Sequence, residues 1–540
     1  MSRQDLSGMK IRGIADPWKE GIARGWDVVD AATLETDRTL EADVVIIGSG
    51  AGGGVSAEIL SEAGLKVIIL EAARLKSTHE FDMNEGNAYR DLYQEGATRM
   101  SKDAAISILQ GRAVGGTTVV NWTSSFRTPA QTLNHWREAF ATEGLTPEEM
   151  APWFDRMEKR LNVSKWIIPP NANNQVLKRA CDQLGWQWDT IPRNVDGCWD
   201  LGYCGTGCPT NAKKSMLVTT LPVAMENNAT LVHSAAAETL EIRGDRVRSV
   251  RCIAFGTDGR PTGRTLTLKA PTIIAAGGGI NTPGLLLRSK VPDPHERVGK
   301  RTTLHVTSTA FGDYDDEIAP YYGAPQSVYS DEFTWRDGVT GKAGYKLEVM
   351  PGHPGVTAIL LDAPGPHHTE QMRRLPNLSL MIAMLRDGFH EQSEGGNVVL
   401  RDDGTAVLDY PLTDYLLEGV RHSLYSQMEA HFAAGAARVR ARHQDAQWHR
   451  DWTSARRELE TLRYATHFVP LGSAHVMGGC SMGEDERLCV THSNGRYHHL
   501  DNLYVFDGSL FPTSLGVNPQ LSIYGLVARN ASRLAEKLKG

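Results

Sequence analysis

The chain has 540 residues, with 57 basic and 64 acidic side chains and a net charge of −7. Its length favours two domains over one, and its 41% hydrophobic and 22% charged residues indicate a folded chain rather than bulk disorder. The mild negative charge argues against a nucleic-acid binder, which usually carries a basic face. The 53 glycines are not periodic, so they point to close backbone approaches such as those of nucleotide-binding folds.

Residues 1–40 are polar and mixed in charge, and they lack the basic-then-apolar pattern of a secretory signal. We interpret them as an arm on the surface of the protein and expect a cytoplasmic location. No run of about 18 apolar residues occurs anywhere, so the sequence predicts no transmembrane segment. In that compartment most of the seven cysteines are expected to be reduced.

The first clear elements form a strand–helix–strand unit. Residues 43–47 (DVVII) and 67–70 (VIIL) predict strands buried on both faces, and residues 55–63 between them have helical spacing. Further along the chain, apolar runs predict strands over 272–276 and 503–506. Residues 413–437 contain few helix breakers and predict a long helix.

The turn after the first strand has the G-x-G-x-x-G spacing of a dinucleotide site, with glycines at Gly48, Gly50 and Gly53. Such glycines permit a tight turn, a close approach of backbone to a pyrophosphate, and close packing of helix on strand, while the helix N-terminus offers free N–H groups. Glu71 ends the second strand, where a carboxylate accepts hydrogen bonds from a ribose. The motif predicts a bound dinucleotide but does not separate NAD from FAD.

Three further segments show a resemblance to a known family: residues 111–122 (GRAVGGTTVVNW), 475–483 (HVMGGCSMG) and 502–528, which contains GVNP. With the N-terminal unit, they resemble the glucose–methanol–choline (GMC) oxidoreductases, which are FAD-dependent alcohol oxidases and dehydrogenases. The nearest likeness is to the cholesterol-oxidase and long-chain-alcohol-oxidase branches. His305, together with residues 298–300, also resembles a family segment.

The resemblance implies an α/β protein, α+β overall, with a Rossmann-like FAD-binding domain and a second, substrate-binding domain on a mixed or antiparallel sheet. We expect the FAD-binding domain to be discontinuous, and the expected bounds are 41–135, 225–305 and 466–540. The substrate-binding or cap domain is expected over 136–224 and 306–465.

The same resemblance implies where the cofactor lies. Gly115 and Gly116 let backbone pass close to it, Asn121 and Trp122 lie near the flavin ring, and Asp507 contacts the ribityl or pyrophosphate portion. The helix after Pro519 and Gln520 points its N-terminus at the flavin. No histidine occurs between residues 111 and 128, where the family's covalent flavin link would be, so we expect FAD to be held non-covalently.

Oxidation of an alcohol needs a base for the hydroxyl proton while hydride leaves for the flavin N5 atom. His475 matches the family's catalytic histidine, and we predict that it is this base. Asn518 occupies the second family position, and its amide is predicted to hold the substrate oxygen. Glu348 is a third candidate, because a carboxylate takes part in the cholesterol-oxidase branch.

Cys198, Cys204 and Cys208 are close in sequence and followed by Pro209. Such spacing is typical of free thiols or one disulfide in a structural loop, and also of an iron–sulfur centre. We expect no metal here, but a membrane-linked iron–sulfur alcohol dehydrogenase stays an alternative, and brown colour with iron would identify it.

The leading hypothesis is oxidation of a small-molecule alcohol to an aldehyde or ketone, with O2 or a quinone as electron acceptor. An apolar stripe predicts a hydrophobic substrate; its residues are Leu360, Leu361, Met381, Ile382 and Met384. The alternatives are a lyase that acts on a cyanohydrin-like substrate and a flavin-bearing binding protein. The sequence leaves the oligomeric state open.

Overall fold

The structure is a computed structural model, and it describes residues 13–361 and 364–540. The helices of these residues are α1 (Pro17–Arg24), α2 (Ala51–Glu62), α3 (Glu85–Leu92), α4 (Ala130–Phe140), α5 (Pro147–Arg160), α6 (Ala172–Leu184), α7 (Thr220–Glu226), α8 (Gly278–Arg288), α9 (Pro354–Leu360), α10 (Gly365–Arg373), α11 (Asp414–Ala433), α12 (Trp452–Thr461) and α13 (Gln520–Lys539). None of them is long and apolar enough to cross a membrane.

The first twelve strands are β1 (Val28–Asp30), β2 (Arg38–Glu41), β3 (Val44–Ile47), β4 (Val67–Leu70), β5 (Ile106–Ile108), β6 (Val163–Lys165), β7 (Asp189–Thr190), β8 (Pro192–Asn194), β9 (Thr230–His233), β10 (Ala235–Arg243), β11 (Arg246–Phe255) and β12 (Pro261–Lys269). The others are β13 (Thr272–Ala275), β14 (Thr303–Leu304), β15 (Val306–Asp313), β16 (Val328–Ser330), β17 (Tyr345–Val349), β18 (Leu378–Leu385), β19 (Asn397–Leu400), β20 (Ala406–Asp409), β21 (Arg438–Ala441), β22 (Leu471–Ser473), β23 (Val476–Met477) and β24 (Leu503–Val505).

A six-stranded parallel sheet has the order β1-β9-β4-β3-β13-β24. Its central strands are buried along their whole length, which is why their sequences are unbroken apolar runs rather than alternating ones. The register pairs Ile47 with Leu70 and with Ala275, so the carboxyl ends of these strands meet at one edge. The predicted α/β class and the Rossmann-like domain are confirmed.

A second large sheet is antiparallel except for one pair. It runs β5-β22-β15-β18-β17-β16-β7, with β21 also paired to β15, and only β5 and β22 are parallel. Helix α11 packs on β15 and β18 and covers one face. The long helix predicted over 413–437 is therefore present, four residues shorter at its C-terminal end.

The described part of the predicted N-terminal arm, residues 13–40, contributes to the sheets. β1 is the edge strand of the parallel sheet, and Trp18 on α1 is fully buried (0% exposed) with its indole N–H donating to the Leu217 carbonyl. The antiparallel sheet also draws β5 and β22 from ranges assigned by sequence to the FAD-binding domain. The rest of the arm, residues 1–12, lies outside the described residues, and the domain bounds stay a prediction.

Candidate active site

One cavity of about 900 Å³ extends from the carboxyl edge of the parallel sheet to the antiparallel sheet. The predicted site residues that line it are Gly48, Gly50, Glu71, Gly116, Asn121, Trp122, His475, Asp507, Asn518, Pro519 and Gln520. Gly53, Gly115 and Glu348 do not line the cavity, although Glu348 contacts the lining residue Asn518. Residues separated by more than 400 positions in the chain are thereby brought to a single site.

The glycine turns form the tightest part of the wall. Gly48 has φ +108°, and a Cβ there would lie 2.4 Å from the carbonyl oxygen of Ala276. A Cβ on Gly116 would lie 2.6 Å from Cα of Gly50, so these two backbone segments touch at glycines. The sequence motif did not single out Gly52, where a Cβ would lie 1.7 Å from the Phe506 carbonyl oxygen. Larger side chains would separate the segments that form this wall.

Helix α2 begins directly after this turn, with Gly50 as its N-cap and no side chain capping it. Its first N–H groups are free of intrahelical partners and lie beside the cavity, which suits the binding of a phosphate. Glu71 directly follows β4, the strand that neighbours β3. One oxygen of its carboxylate accepts from the Ser49 hydroxyl at 2.6 Å and the other from the Ala73 N–H at 3.0 Å. Burial raises the pKa of Glu71.

Asp507 and Gln520 line the cavity but use their side chains within the protein. One oxygen of Asp507 accepts from the Gly278 N–H at 2.7 Å and the Thr282 hydroxyl at 2.6 Å, and the other accepts from Ser509. The amide of Gln520 accepts from Asn121 Nδ2 at 2.7 Å, and it donates to the carbonyl of residue 124 at 2.8 Å. These side chains therefore fix the loops of the wall.

The Asn121 and Asn518 amides each leave one acceptor unused. Asn121 Oδ1 and Asn518 Oδ1 are buried and have no hydrogen-bond partner among the described residues. Buried amide oxygens are rarely left unpaired, so each is a candidate acceptor for a bound water or ligand. Pro519 is the N-cap of α13, which begins at Gln520 beside the cavity.

His475 precedes β23 and lines the cavity. Its Nδ1 atom lies 3.0 Å from Nδ1 of His305, which precedes β15, and the two rings are nearly perpendicular at 84°. Burial lowers the pKa of His475 to about 4, so the ring is neutral near neutral pH. The sequence placed His305 in a family segment but gave it no role. Only the pairing of β14 with β23 brings it to His475.

Glu348 lies on β17, fully buried, and its Oε2 accepts from Asn518 Nδ2 at 3.4 Å. Burial raises the pKa of Glu348 to about 7, although Lys346 opposes that shift. The Lys346 ammonium is itself held by Asp331 at 2.7 Å. Glu348 is thus a buried carboxyl that can exchange a proton near neutral pH, next to the amide predicted to hold substrate.

The far end of the cavity is apolar. It is lined by side chains of β18, of α9 and of the segment before α9, and those side chains are Met350, Val356, Ile359, Leu360, Ile382 and Met384. Of the predicted apolar stripe, Leu361 and Met381 do not line the cavity; both are buried in the core. The indole of Trp122 borders the apolar end and packs against the same cluster.

The loop of residues 198–209, which contains the three close cysteines, contacts the cavity wall at Trp122, because a Cβ on Gly205 would lie 3.1 Å from the Trp122 indole nitrogen. Among residues 13–361 and 364–540, every cysteine is a free thiol and no three His, Cys, Asp or Glu side chains are arranged to hold a metal ion. The buried ammonium of Lys213 donates to the Val119 carbonyl, to the Asn121 carbonyl at 3.1 Å and to the Cys204 carbonyl at 2.7 Å. Lys213 therefore ties this loop to the wall near Asn121, a role that the sequence did not reveal.

Comparison with known proteins identifies the family of this chain. Two family patterns, both described as GMC oxidoreductase, match residues 89–307 and 396–526. An uncharacterized GMC-type oxidoreductase of Mycobacterium tuberculosis is 32% identical over 512 residues, which cover 94% of this chain and 78% of the relative. The chain belongs to the GMC oxidoreductases. The predicted family is confirmed, and with it an FAD-dependent oxidoreductase that acts on CH–OH donors.

Two further similar proteins show lower sequence identity to this chain. A long-chain-alcohol oxidase of Arabidopsis thaliana is 27% identical over 519 residues, covering 93% of this chain and 68% of the relative. Pyridoxine 4-oxidase from Mesorbium loti has a similar fold, with a TM-score of 0.65 at 16% identity over 91% of this chain and 98% of that one. This structural likeness supports the GMC fold alone.

Proposed function

We propose that this GMC oxidoreductase converts an apolar alcohol into the aldehyde or ketone with non-covalently bound FAD. One observation carries the proposal: the glycine turns, the His475 ring and an apolar wall border the same cavity. The Arabidopsis relatives are named as long-chain-alcohol oxidases, which is a substrate class that such a wall suits.

The residues of the cavity fit FAD. The start of α2 would take the pyrophosphate, Glu71 the ribose, and the unpaired Asn121 oxygen a hydrogen-bond donor of the cofactor. When bound, FAD supplies the acceptor for hydride. Residues 111–128 contain no histidine, which supports non-covalent binding; acid precipitation should therefore release the flavin into the supernatant.

The chain's own groups would orient the alcohol and move its proton. His475 and Asn518 would hold the hydroxyl oxygen, and the apolar wall would exclude water from the reacting carbon. Two groups are candidates for taking the hydroxyl proton. One is His475, as the sequence predicts, and the other is Glu348, whose buried carboxyl meets the cavity wall at Asn518 and needs a shift of that side chain to reach the substrate oxygen. Asn518 cannot take it, because an amide has no basic nitrogen at neutral pH.

Anaerobic mixing of the purified flavoprotein with a panel of aliphatic, aromatic, sterol and sugar alcohols tests the proposal. We expect long-chain or sterol alcohols to bleach the flavin fastest. A lyase would leave the flavin oxidised with every alcohol, and that result would overturn the proposal. Reoxidation by O2 with peroxide release, or by a quinone alone, then distinguishes an oxidase from a dehydrogenase, and iron analysis tests the iron–sulfur alternative. The cytoplasmic location stays a prediction.

A further inference from the structure

His305 contacts both His475 and the loop that leads to Asn518. Its Nδ1 lies 3.0 Å from Nδ1 of His475. Its Nε2 lies 3.3 Å from the backbone nitrogen of Leu515 and 3.1 Å from that of Gly516, in the loop that leads to Asn518. Only 1% of His305 is exposed, so these three contacts account for both of its ring nitrogens.

The backbone contacts decide which nitrogen of His305 carries the proton. A backbone N–H can only donate, so Nε2 of His305 must accept from Leu515 and Gly516. A neutral imidazole has one N–H, which therefore lies on Nδ1. Burial, reinforced by His475, Lys346 and Arg386, lowers the pKa of His305 well below its usual value, so the ring is neutral.

The proton on His305 then determines the proton on His475. Nδ1–H of His305 donates to Nδ1 of His475, which must accept, so the single N–H of a neutral His475 lies on Nε2. That nitrogen has no hydrogen-bond partner among the described residues, and His475 lines the cavity. The opposite arrangement would turn Nε2–H of His305 against two backbone N–H groups and leave buried donors unpaired.

We propose that His305 is a positioning residue that fixes His475 with an N–H on Nε2, so that His475 donates to the substrate oxygen rather than taking its proton. The inference rests on the proposed alcohol oxidation and deepens it. Of the two candidate proton acceptors it leaves Glu348, and it replaces the sequence prediction of His475 as the base. The same ring also fixes the loop that positions Asn518.

A matched pair of variants separates a donor from a base. In His305→Asn, the side-chain amide can still donate to His475 Nδ1, whereas the carboxylate of His305→Asp can only accept and draws the proton to Nδ1. Both side chains are too short to reach Leu515 and Gly516, so the loss at the loop is the same. The pair therefore differs in the direction of one hydrogen bond.

We expect His305→Asn to retain kcat/KM better than His305→Asp by about 10²-fold or more once His475 is neutral. An aspartate also favours a protonated His475, which keeps its Nε2–H. The ratio of kcat/KM in His305→Asp to that in His305→Asn should therefore fall as the pH rises through the pKa of His475, because the ionisation of Glu348 is common to both variants. A ratio that rises over the same range, or a His305→Asp enzyme as active as His305→Asn, would show that His475 is a base.

The tautomer can also be read without turnover. In the FAD-loaded protein labelled with ¹⁵N-histidine, and with His475→Gln used for assignment, Nε2 of His475 should have the shift of a protonated nitrogen and Nδ1 that of a bare one. The reverse pattern overturns the inference whatever the substrate is. A protonated Nε2 in a protein whose flavin no alcohol reduces would instead overturn the proposed function alone.

Discussion

The amide of Asn518 donates to the carboxyl of Glu348, with Nδ2 of the first 3.4 Å from Oε2 of the second. The remaining oxygens, Asn518 Oδ1 and Glu348 Oε1, are buried and unpartnered among the described residues. The contact joins the loop before α13 to strand β17 of the antiparallel sheet. A carboxyl with one free oxygen and a pKa raised to about 7 is able to hold or release a proton near neutral pH.

Replacement of Glu348 by Gln should change how stability depends on pH. The pKa of Glu348 rises from 4.5 to about 7 in the folded protein, so the folded state binds the proton more tightly and the free energy of unfolding falls as pH rises through that range. Glu348→Gln removes this loss. Between acidic pH and about pH 8, we expect the free energy of unfolding of Glu348→Gln to rise by ~3 kcal/mol relative to that of the parent. Denaturant unfolding at several pH values measures the change. The exposed Glu391→Gln is the control, and equal slopes for parent and Glu348→Gln would contradict the assignment.

Removal of the His475 ring should lower turnover while FAD stays bound. We expect His475→Ala to reduce kcat/KM by about 10²- to 10⁴-fold, because it removes the group that we propose to contact the substrate oxygen. His475→Gln, which retains an N–H donor, should lose less. Steady-state rates with flavin absorbance per chain give both quantities, and His367→Ala, at an exposed histidine, is the control. Near-normal rates in His475→Ala would refute the mechanism.

Loss of the Asn518 amide should lower activity less than loss of the His475 ring. Asn518→Ala removes the one neutral hydrogen bond that we propose Asn518 makes to the substrate oxygen, so we expect kcat/KM to fall about tenfold. It also takes away the donor to Glu348, which should raise the pKa of that carboxyl further. The pH dependence of kcat/KM measures this shift, and a profile that moves to lower pH would be the contrary result.

The contact between Gly116 and Gly50 should control cofactor binding. Gly116→Ala places a Cβ 2.6 Å from Cα of Gly50, which forces two segments of the cavity wall apart, and we expect loss of most FAD. Gly64→Ala is the matched control, because Gly64 also has positive φ (+86°) but no atom within 4 Å of the added Cβ. Gly64→Ala should lower the free energy of unfolding only by the strain of its backbone conformation, about 1 kcal/mol. Flavin content per chain and thermal unfolding distinguish the two, and full FAD content in Gly116→Ala would be incompatible with this wall.

The thiol of Cys208 should react faster than an ordinary cysteine. Hydrogen bonds from Thr210 and the Lys213 backbone, with the charge of Lys213, hold the pKa of Cys208 below its usual value in spite of burial. We expect haloacetamide to label it ahead of the fully buried Cys252, and Lys213→Met to slow the reaction. Peptide mass mapping over time tests the order. Equal rates for Cys208 in the parent and in Lys213→Met would show that the ammonium has no influence.

The local pattern of the sequence was sufficient for the nucleotide-binding half of the fold. Strands such as 67–70 are short, unbroken apolar runs, and such a run is kept out of water only where both of its faces are covered, as in a parallel sheet. The turn glycines at 48, 50 and 53 are needed for backbone geometry, which is a local property. The family and its FAD chemistry followed from motifs that each lie within one segment.

Other features depended on contacts between distant segments. β1 pairs with a strand some 200 residues away, and the run of residues 28–30 is too short to reveal this. The sequence also did not reveal the roles of His305 and Lys213 or the unpaired oxygens of Asn121 and Asn518, because each of these features depends on contacts with distant residues. The sequence determined which residues are suited to bind a dinucleotide and to handle an alcohol. Only the tertiary structure decided that His305 faces His475, and hence which nitrogen bears the proton, because hydrogen-bond direction is set by neighbours in space.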